Sequence, residues 1–336
     1  MELIPGLPEE IGLECLTRLP YTAHQVAVQV CSRWRELLKS PAFYQLRKQT
    51  GNTHKVACLV QSLPAISDGR KPAGPPPYGI AVFDPLSRSW ERLEAIPSYP
   101  DGLPLFCRIS SVEGKLVLMG GWDPASWDPV KDVFVYDFTS RKWRKGKDMP
   151  SKRSFFAAGA VEGRVFVAGG HDESKNAMRS AWAYDVRRDE WEELCSMSEE
   201  RDECEGVVVG NEFWVVSGYG TEHQGRFVRS AEVFELGLNR WRLVEEAWVA
   251  DRCPRGCVDV GKDGKLICWA DADAAVGAGA CAVGLGERTL VAGSAHLDAT
   301  QGVFLVENGG QNNKFQKIDI PDQFSGFIHS GCCVEI

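Results

Sequence analysis

Long apolar runs are missing from this sequence of 336 residues: no stretch reaches the roughly 18–20 residues that a membrane-spanning helix needs. The opening residues, MELIPGLPEE, lack the basic start and the apolar stretch of a secretory signal peptide, so we expect no secretory signal. An excess of positive charge is also lacking, because the formal net charge is −8. This balance argues against general binding to nucleic acid or to an anionic membrane surface.

Motifs for metal sites and for common catalytic centres are also missing. None of the six histidines lies in an HxH or HExxH motif, and no GxSxG or GxxxxGK[ST] motif occurs. The twelve cysteines include no CxxC pair; Cys253 and Cys257 are spaced CxxxC, without a second Cys or His pair at zinc-finger spacing. Most cysteines lie in apolar runs, so we interpret them as reduced core thiols of a cytoplasmic or nuclear protein. We expect no metal, no cofactor and no catalytic residues.

The sequence does contain an internal repeat. A short apolar stretch ends in a glycine pair at Gly120-Gly121 and again 49 residues later at Gly169-Gly170. A second pattern occurs in four copies: an aromatic residue, then an acidic residue, a polar turn and a tryptophan. The tryptophans are 53, 48 and 50 residues apart, at Trp90, Trp143, Trp191 and Trp241. Because each period holds four short β-type runs separated by turn residues, the pattern predicts a mainly β fold, a β-propeller with one blade per period.

The glycine pairs, the aromatic before the polar turn and the tryptophan after it resemble the kelch repeat. Residues 54–97 lack a first strand, which we expect the C-terminal segment 325–336 to supply, closing the ring. Residues 248–320 hold six runs where two blades need eight. The prediction is a six-bladed ring with a degenerate fifth blade, and five blades is the alternative. The clearest blades are expected at 105–150, 151–199 and 200–247.

The first 50 residues carry a helical pattern instead. Ile11 and Leu19 fall on one face of a helix, a second helix is expected around Trp34, and a third after Pro41. This segment resembles an F-box in its leucine–proline pairs at 7–8 and 19–20 and in the run VCSRW that ends at Trp34. We therefore divide the chain into an F-box helical segment, residues 1–50, and a kelch propeller, residues 51–336.

The combination resembles the plant kelch-repeat F-box proteins, and the resemblance implies a function. A protein of this family is the substrate-recognition subunit of an SCF-type (Skp–cullin–F-box) ubiquitin ligase: the F-box binds a Skp-type adaptor and through it a cullin, while the propeller binds a protein substrate that is then ubiquitinated and degraded by the proteasome. Such a protein catalyses no reaction itself. The resemblance assigns adaptor binding to Leu7, Pro8, Ile11, Cys15, Leu16, Leu19, Pro20, Val30, Cys31, Trp34 and Leu37.

The resemblance leaves the target open. Subfamilies of this architecture act on phenylalanine ammonia-lyase, and so regulate phenylpropanoid metabolism negatively, or on regulators of the cytokinin response. A non-catalytic kelch scaffold is an alternative function, although such a scaffold needs no F-box. A kelch-type metal oxidase is the alternative from the enzyme class, because His171, Tyr219 and His223 lie in corresponding loops.

Loop lengths predict which face of the propeller binds the substrate. In each blade, the turn between the first and second strands and the turn between the third and fourth strands are short. The loop that follows the second strand and the loop between blades are longer. Recognition usually concentrates on long loops held by a rigid scaffold, with aromatic residues and arginines as the main energetic contributors. The predicted substrate-binding residues are Trp122, Trp127, Arg153, His171, Arg201, Tyr219 and His223. Packing between blades is the alternative role for Trp122.

Overall fold

A computed structural model describes residues 2–64, 76–249, 251–261, 264–296, 298–307 and 314–336. Four α-helices come first: α1 (Glu9–Thr17), α2 (Tyr21–Ala27), α3 (Ser32–Lys39) and α4 (Pro41–Gln49). The Cys31 thiol caps α3 by accepting from the Trp34 amide, and the Ser40 hydroxyl caps α4 by accepting from the Phe43 amide. Within the described ranges, no helix has the length and apolar character needed to cross a membrane.

Strands follow the helices and form a β-propeller. The first sheet contains β1 (Lys55–Ser62), β2 (Tyr78–Asp84) and β3 (Ser89–Arg92). The second contains β4 (Arg108–Val112), β5 (Lys115–Met119), β6 (Val133–Asp137) and β7 (Lys142–Lys145). The third contains β8 (Ala157–Val161), β9 (Arg164–Ala168), β10 (Ala181–Asp185) and β11 (Glu190–Leu194). The fourth contains β12 (Glu205–Val209), β13 (Glu212–Val216), β14 (Ala231–Glu235) and β15 (Arg240–Val244).

The C-terminal part of the chain completes the sheets. The fifth sheet has two strands, β16 (Val258–Val260) and β17 (Leu266–Cys268), and the sixth has β18 (Ala278–Gly284), β19 (Arg288–Ser294), β20 (Gly302–Glu307) and β21 (Phe315–Lys317). The last strand, β22 (Ile328–Glu335), pairs with β1 and becomes the innermost strand of the first sheet. The C-terminal segment therefore supplies the first strand that residues 54–97 lack.

The innermost strands form a closed ring. In order, β22, β4, β8, β12, β16 and β18 each contact the next, and β18 contacts β22 again. Among the described residues, five blades are complete four-stranded sheets and the fifth ring position holds only two strands. The predicted degenerate fifth blade is thus present; counted by complete blades, the number is five.

The repeated tryptophans join neighbouring blades. The indole N–H of Trp143 donates to the carbonyl of Glu94 at 2.9 Å, that of Trp191 to Lys147 at 2.9 Å, and that of Trp241 to Cys195 at 2.7 Å. Each acceptor follows the outermost strand of the preceding blade. The 50-residue repeat therefore reflects one aromatic ring and one hydrogen bond at each of these blade interfaces.

The glycine pairs let two backbone segments approach each other. Gly121 and Gly170 have φ of 94° and 82°, a region that favours glycine. A Cβ on Gly121 would lie 2.6 Å from the Leu105 carbonyl oxygen, and one on Gly170 would lie 2.3 Å from that of Ser154. The second glycine of each pair is required because the loop that enters the blade passes directly against it.

The helical segment packs on the face of the propeller that carries the short turns. Its own core contains buried Leu16, Leu38 and Phe43. Tyr21 stacks on His54 with ring centroids 5.2 Å apart, and Lys48 pairs with Glu335 at 3.4 Å. The long loops lie at the opposite ends of the same antiparallel strands. The helices and the long loops therefore occupy opposite faces of the molecule.

Candidate functional site

The helical segment presents an apolar surface to solvent. Ile11 is 46% exposed and Val30 is 61% exposed, and the structure adds Val26, which is 68% exposed. Pro8, Cys15, Pro20 and Cys31 are exposed as well. We call the set Ile11, Val26 and Val30 the helical apolar patch. Val26 lay outside the sequence prediction because α2 has only seven residues, too few to define a face by periodicity.

Other predicted adaptor-binding residues hold the segment together. Leu16 is 1% exposed and belongs to the core of the segment, so its assignment to the adaptor surface is corrected: it packs inward. Trp34 donates its indole N–H to the Leu3 carbonyl at 2.7 Å and packs on the same core. The remaining predicted positions, Leu7, Leu19 and Leu37, are half-buried. Adaptor binding by the residues that stay accessible remains a prediction.

A cluster of aromatic rings covers the ring axis on the long-loop face. We call Phe106, Trp122, Phe155 and Arg255 the mouth cluster, and buried His171 packs against it. The Phe106 and Phe155 centroids are 4.5 Å apart, Trp122 stands edge-on to both at 6.3 and 6.2 Å, and His171 lies 5.3 Å from Phe155. The Arg255 guanidinium lies 4.4 Å from the Phe155 centroid. These contacts bring side chains from the second, third and fifth ring positions into one surface.

Two exposed side chains extend the mouth cluster toward solvent. Trp127 is 50% exposed and its ring stands 6.3 Å from that of Trp122. The Lys175 ammonium lies 5.6 Å from the Trp122 centroid, a cation–π distance. Trp122 itself is half-buried and contacts Phe155 and His171 of the next blade, so it both bridges blades and reaches the surface.

Residues at the same position relative to the innermost strand of successive blades come together at the mouth cluster. Phe106, Phe155 and Glu203 each stand two residues before an innermost strand, and their φ values are 58°, 55° and 51°. This left-handed backbone is uncommon for residues with a side chain and recurs at these three blade entrances. Glu203 pairs with Arg255 at 3.3 Å. The sequence prediction selected Arg153 and Arg201; the residues that form or contact the mouth cluster stand two positions later in each case, at Phe155 and Glu203.

The side chains of Arg153 and Arg201 point inward, which corrects their prediction as substrate-binding residues. Arg153 and Arg201 are 0% exposed. Arg153 donates to the carbonyls of Gly169 and Ser180 and to the Ser151 and Ser180 hydroxyls, at 3.0–3.3 Å. Burial lowers the pKa of Arg153 to about 10.

Arg201 repeats this arrangement one blade later. It donates to the Ser217 and Ser230 carbonyls at 3.0 and 3.1 Å and pairs with buried Glu232 at 3.3 Å. The tips of the long loops are exposed to solvent. At their buried bases, backbone carbonyls accept hydrogen bonds from these guanidinium groups. Both arginines therefore support the loops from below and do not face a substrate.

His171 and Tyr219 are also buried beneath the loops, which corrects their assignment to the recognition surface. His171 is 4% exposed, and its Nδ1 lies 3.0 Å from both carboxylate oxygens of Asp202. The Tyr219 hydroxyl donates to Glu203 at 3.0 Å, and burial raises the Tyr219 pKa. His223 is exposed in a short 3-10 helix, Thr221–His223. Of the predicted substrate-binding residues, Trp122, Trp127 and His223 reach solvent, and their role in binding stays a prediction.

A polar cavity of about 390 Å³ lies behind the mouth cluster, along the ring axis. Arg108 and Glu205 form an ion pair at 3.0 Å in its wall, and burial raises the pKa of Asp259 on β16. Within the described ranges, no group of three or more potential ligand side chains is arranged to hold a metal ion. The charged groups of the wall pair with one another and accept hydrogen bonds from backbone amides. For example, the Gly256 N–H donates to Glu205 at 2.6 Å.

Comparison with known proteins agrees with both parts of the structure. Residues 4–46 match the F-box domain model, and residues 54–257 match the model of the KLHDC2/KLHL20/DRC7 Kelch-repeats domain. F-box/kelch-repeat protein At2g44130 of Arabidopsis thaliana is 41% identical over 300 residues, covering 81% of this chain and 73% of that protein.

Two further relatives come from the same plant. F-box/kelch-repeat protein SKIP20 of Arabidopsis thaliana is 39% identical, covering 76% of this chain and 69% of its own length. F-box/kelch-repeat protein At1g15670 of Arabidopsis thaliana is 35% identical over 362 residues and spans all of both chains. The helical segment, the propeller that follows it and these identities agree: the chain belongs to the F-box/kelch-repeat protein family.

Proposed function

We propose that this protein is the substrate-recognition subunit of an SCF-type ubiquitin ligase. The observation that supports this proposal most strongly is the placement of two accessible apolar surfaces on opposite faces: the helical apolar patch and the mouth cluster. A subunit that binds an adaptor on one face and a substrate on the other raises the effective concentration of substrate lysines near a charged conjugating enzyme. The protein needs no catalytic group of its own for this role.

The helical apolar patch is the proposed adaptor-binding surface. Ile11, Val26 and Val30 are large apolar side chains that remain exposed, while the residues between them pack on the core of the segment. Exposed apolar side chains concentrated on one small helical unit are typical of a protein-binding surface. We propose that a Skp-type adaptor covers this patch and connects the chain to a cullin.

The mouth cluster, with Trp127 and Lys175, is the proposed substrate-binding surface. Exposed tryptophan and a cation stacked on aromatic rings are the residue types that contribute most binding energy at protein interfaces. The cluster rests on loops that are supported from below by Arg153 and Arg201. A rigid base reduces the conformational entropy that binding must overcome.

For the target, we propose phenylalanine ammonia-lyase, which would make the protein a negative regulator of phenylpropanoid metabolism. This choice rests on the resemblance in sequence alone, and regulators of the cytokinin response are the second candidate. We propose action in the cytoplasm, the nucleus or both, where the ligase, its targets and reduced thiols occur together.

Co-purification from plant cells tests the proposal. The double variant Ile11→Asp/Val30→Asp should lose at least 90% of the Skp-type adaptor that the native chain retains, about a tenfold or 1.4 kcal/mol effect. Leu238→Asp, at a propeller position that is 61% exposed, is the matched control and should retain the adaptor. Normal adaptor recovery with the double variant would contradict the proposed function.

The target is tested separately by capture of phenylalanine ammonia-lyase. The native chain should retain the lyase when the proteasome is inhibited, and Trp127→Ala/Lys175→Ala should lose it. Failure to retain the lyase, with adaptor binding intact, would remove this target and leave the ligase proposal standing.

A further inference from the structure

Two cysteine sulfurs approach each other in the degenerate blade. Cys257 lies just before β16 and Cys268 ends β17, and their Sγ atoms are 3.8 Å apart. The two strands hold this geometry, because Val258 pairs with Cys268 and the Trp269 amide donates to the Cys257 carbonyl at 2.8 Å. Cys257 is buried and Cys268 is half-buried, so one sulfur of the pair is reachable from solvent.

A guanidinium group lies beside the more exposed sulfur. Arg252 Nη1 is 3.5 Å from Cys268 Sγ, and it also pairs with Asp271. The interaction with the Cys257 thiol, followed by that with Arg252, lowers the pKa of Cys268 to about 6, although burial and Asp271 oppose this. The same thiol–thiol hydrogen bond raises the pKa of Cys257. Cys268 is therefore the more acidic thiol of the pair and Cys257 the less acidic one.

The other buried cysteines lack this environment. Burial raises the pKa of Cys58, Cys107, Cys204 and Cys281, so these thiols stay protonated. Thiolates are the nucleophilic form, and a thiolate beside a second thiol and a cation is typical of cysteines that are oxidised selectively. Cys268 differs from the core thiols in the direction of its pKa shift, in its exposure and in its neighbours.

We propose that Cys257 and Cys268 are a redox modification site that forms a reversible disulfide on reaction with hydrogen peroxide. The two sulfurs need to close from 3.8 Å to about 2 Å for the bond to form. The oxidation does not require the proposed function to hold, because neither cysteine belongs to the helical apolar patch or the mouth cluster.

The chemistry takes two steps. The Cys268 thiolate attacks one peroxide oxygen, the O–O bond breaks, hydroxide leaves, and sulfur is oxidised by two electrons to the sulfenic acid. The Cys257 thiol then gives its proton to that hydroxide, which becomes water, and its sulfur attacks the Cys268 sulfur. The S–S bond forms, the S–O bond breaks, and the departing hydroxide takes a proton from solvent. In total, two thiols and one peroxide give one disulfide and two waters.

The disulfide would fix the loop that supports the mouth cluster. Arg255 lies two residues before Cys257, stacks on Phe155 and pairs with Glu203. In the reduced protein this loop is held by hydrogen bonds and packing alone. A covalent bond from Cys257 to β17 would therefore bear directly on the position of Arg255.

Peptide mapping of the full-length protein after peroxide treatment at neutral pH tests the proposal. We expect a peptide cross-link between Cys257 and Cys268 and a mass loss of about 2 Da, both reversed by dithiothreitol. Cys257→Ser should stop the reaction at a sulfenic acid on Cys268, which dimedone traps. Arg252→Gln should slow oxidation of Cys268 roughly threefold to tenfold, because the thiolate loses its cation.

Controls separate this site from general thiol oxidation. Cys195 is exposed and its thiol donates to the Asn239 carbonyl, and Cys195→Ser should leave the cross-link and its rate unchanged. Thermal unfolding of each variant verifies that it is folded, and the mapping of the native chain stands even if a variant is not. The proposal is overturned if the exposed cysteines oxidise while Cys257 and Cys268 stay reduced, or if Cys268 reaches the sulfinic acid without linking to Cys257.

Discussion

Arg47 Nη1 lies 2.7 Å from Nε2 of His24, and this pair joins two helices of the N-terminal segment in a buried position. Arg47 also donates to the carbonyls of Leu19 and Asn52, at 2.7 and 2.8 Å. His24 must therefore be neutral at Nε2 to accept from a guanidinium group. One buried cation fixes the orientation of α2, the end of α4 and the chain that leads into β1.

The His24–Arg47 pair predicts acid sensitivity. Burial, followed by the Arg47 charge, lowers the pKa of His24 from 6.5 to about 4. Because the unfolded chain binds a proton at higher pH than the folded one, this stability is present above pH 6.5 and is lost as the pH falls toward 4. The loss is on the order of 3 kcal/mol, measured as the free energy of unfolding in urea across this range.

Two variants isolate the contribution of His24. His24→Gln keeps an acceptor for Arg47 but does not titrate, so its unfolding free energy should depend less on pH than that of the native chain. His223→Gln alters an exposed histidine and should leave the pH dependence unchanged. Equal pH dependence in the native chain and in His24→Gln would show that another group carries the effect; buried His329, whose pKa burial lowers to about 3, is the next to test.

The tryptophans between blades predict graded losses of stability. Trp191 stacks on Tyr184, with centroids 4.8 Å apart, and donates to Lys147. Trp191→Phe keeps a ring and loses the donor, which should cost about 1 kcal/mol. Trp191→Ala should cost about 2 kcal/mol, less than the roughly 3–5 kcal/mol of a fully buried tryptophan because this one is half-buried.

The matched control for Trp191 is a tryptophan that bridges nothing. Trp127→Ala removes an exposed ring and should change the unfolding free energy by no more than about 0.5 kcal/mol. If Trp127→Ala and Trp191→Ala were equally destabilising in urea unfolding, the indole bridges would not be what joins the blades.

Ring closure predicts that the C-terminal strand is indispensable. β22 pairs with β1 over seven residues of β1, Lys55 to Gln61, and contacts both neighbouring innermost strands, β4 and β18. Deleting residues 325–336 leaves the buried strand β1 as an open edge, which invites pairing with other chains. We expect aggregation or a melting temperature lower by at least 10 °C, which light scattering and calorimetry would detect. A monomeric deletion variant with native melting would show that the ring does not depend on β22.

The buried arginines predict loss of stability rather than loss of binding chemistry. Arg201→Ala leaves the Ser217 and Ser230 carbonyls without their donor and Glu232 without its cation. We expect a loss of about 3 kcal/mol in the free energy of unfolding, as for other buried ion pairs broken on one side. Arg226→Ala, in the exposed part of the same blade, should be neutral within about 0.5 kcal/mol. Unchanged stability of Arg201→Ala would mean that the loop base does not need it.

The fold was predictable because the repeat in the sequence reflects a contact that recurs between neighbouring blades. Trp143, Trp191 and Trp241 occupy the same place in successive blades, and the period of the sequence is the period of the structure. The missing first strand and the C-terminal strand that replaces it followed from the same count. For the β16–β17 sheet, the sequence predicted only that strands would be missing. The Ala- and Gly-rich residues that follow it carry no pattern that indicates which strands of the blade form.

The candidate site was less predictable, and three consecutive residues at the entrance of the third blade illustrate the reason. Arg153, Ser154 and Phe155 are consecutive, yet Arg153 turns beneath the loop while Phe155 reaches the mouth cluster. Residue type favoured the arginine as the exposed group. The left-handed backbone at Phe155 and the unsatisfied carbonyls at the loop base reverse that choice, and neither can be read from a single sequence. Trp127, at a loop tip, is exposed as expected of loop tips, and its role in binding stays a prediction.

Capture by a variant that cannot bind the adaptor tests whether the long-loop face binds a substrate of the ligase. Affinity capture from plant cells would compare the native chain, Ile11→Asp/Val30→Asp, and that variant with Trp127→Ala/Lys175→Ala added. Leu86→Ala/Arg188→Ala is the matched control for the last pair, since it removes an exposed apolar side chain and an exposed cation from the short-turn face.

We expect at least one protein that the native chain retains only when the proteasome is inhibited. The adaptor-uncoupled variant should retain it in both conditions, and the added Trp127→Ala/Lys175→Ala pair should lower its recovery at least tenfold. The control pair added to the same variant should leave recovery unchanged. A captured set that responds neither to proteasome inhibition nor to the long-loop substitutions would contradict the account.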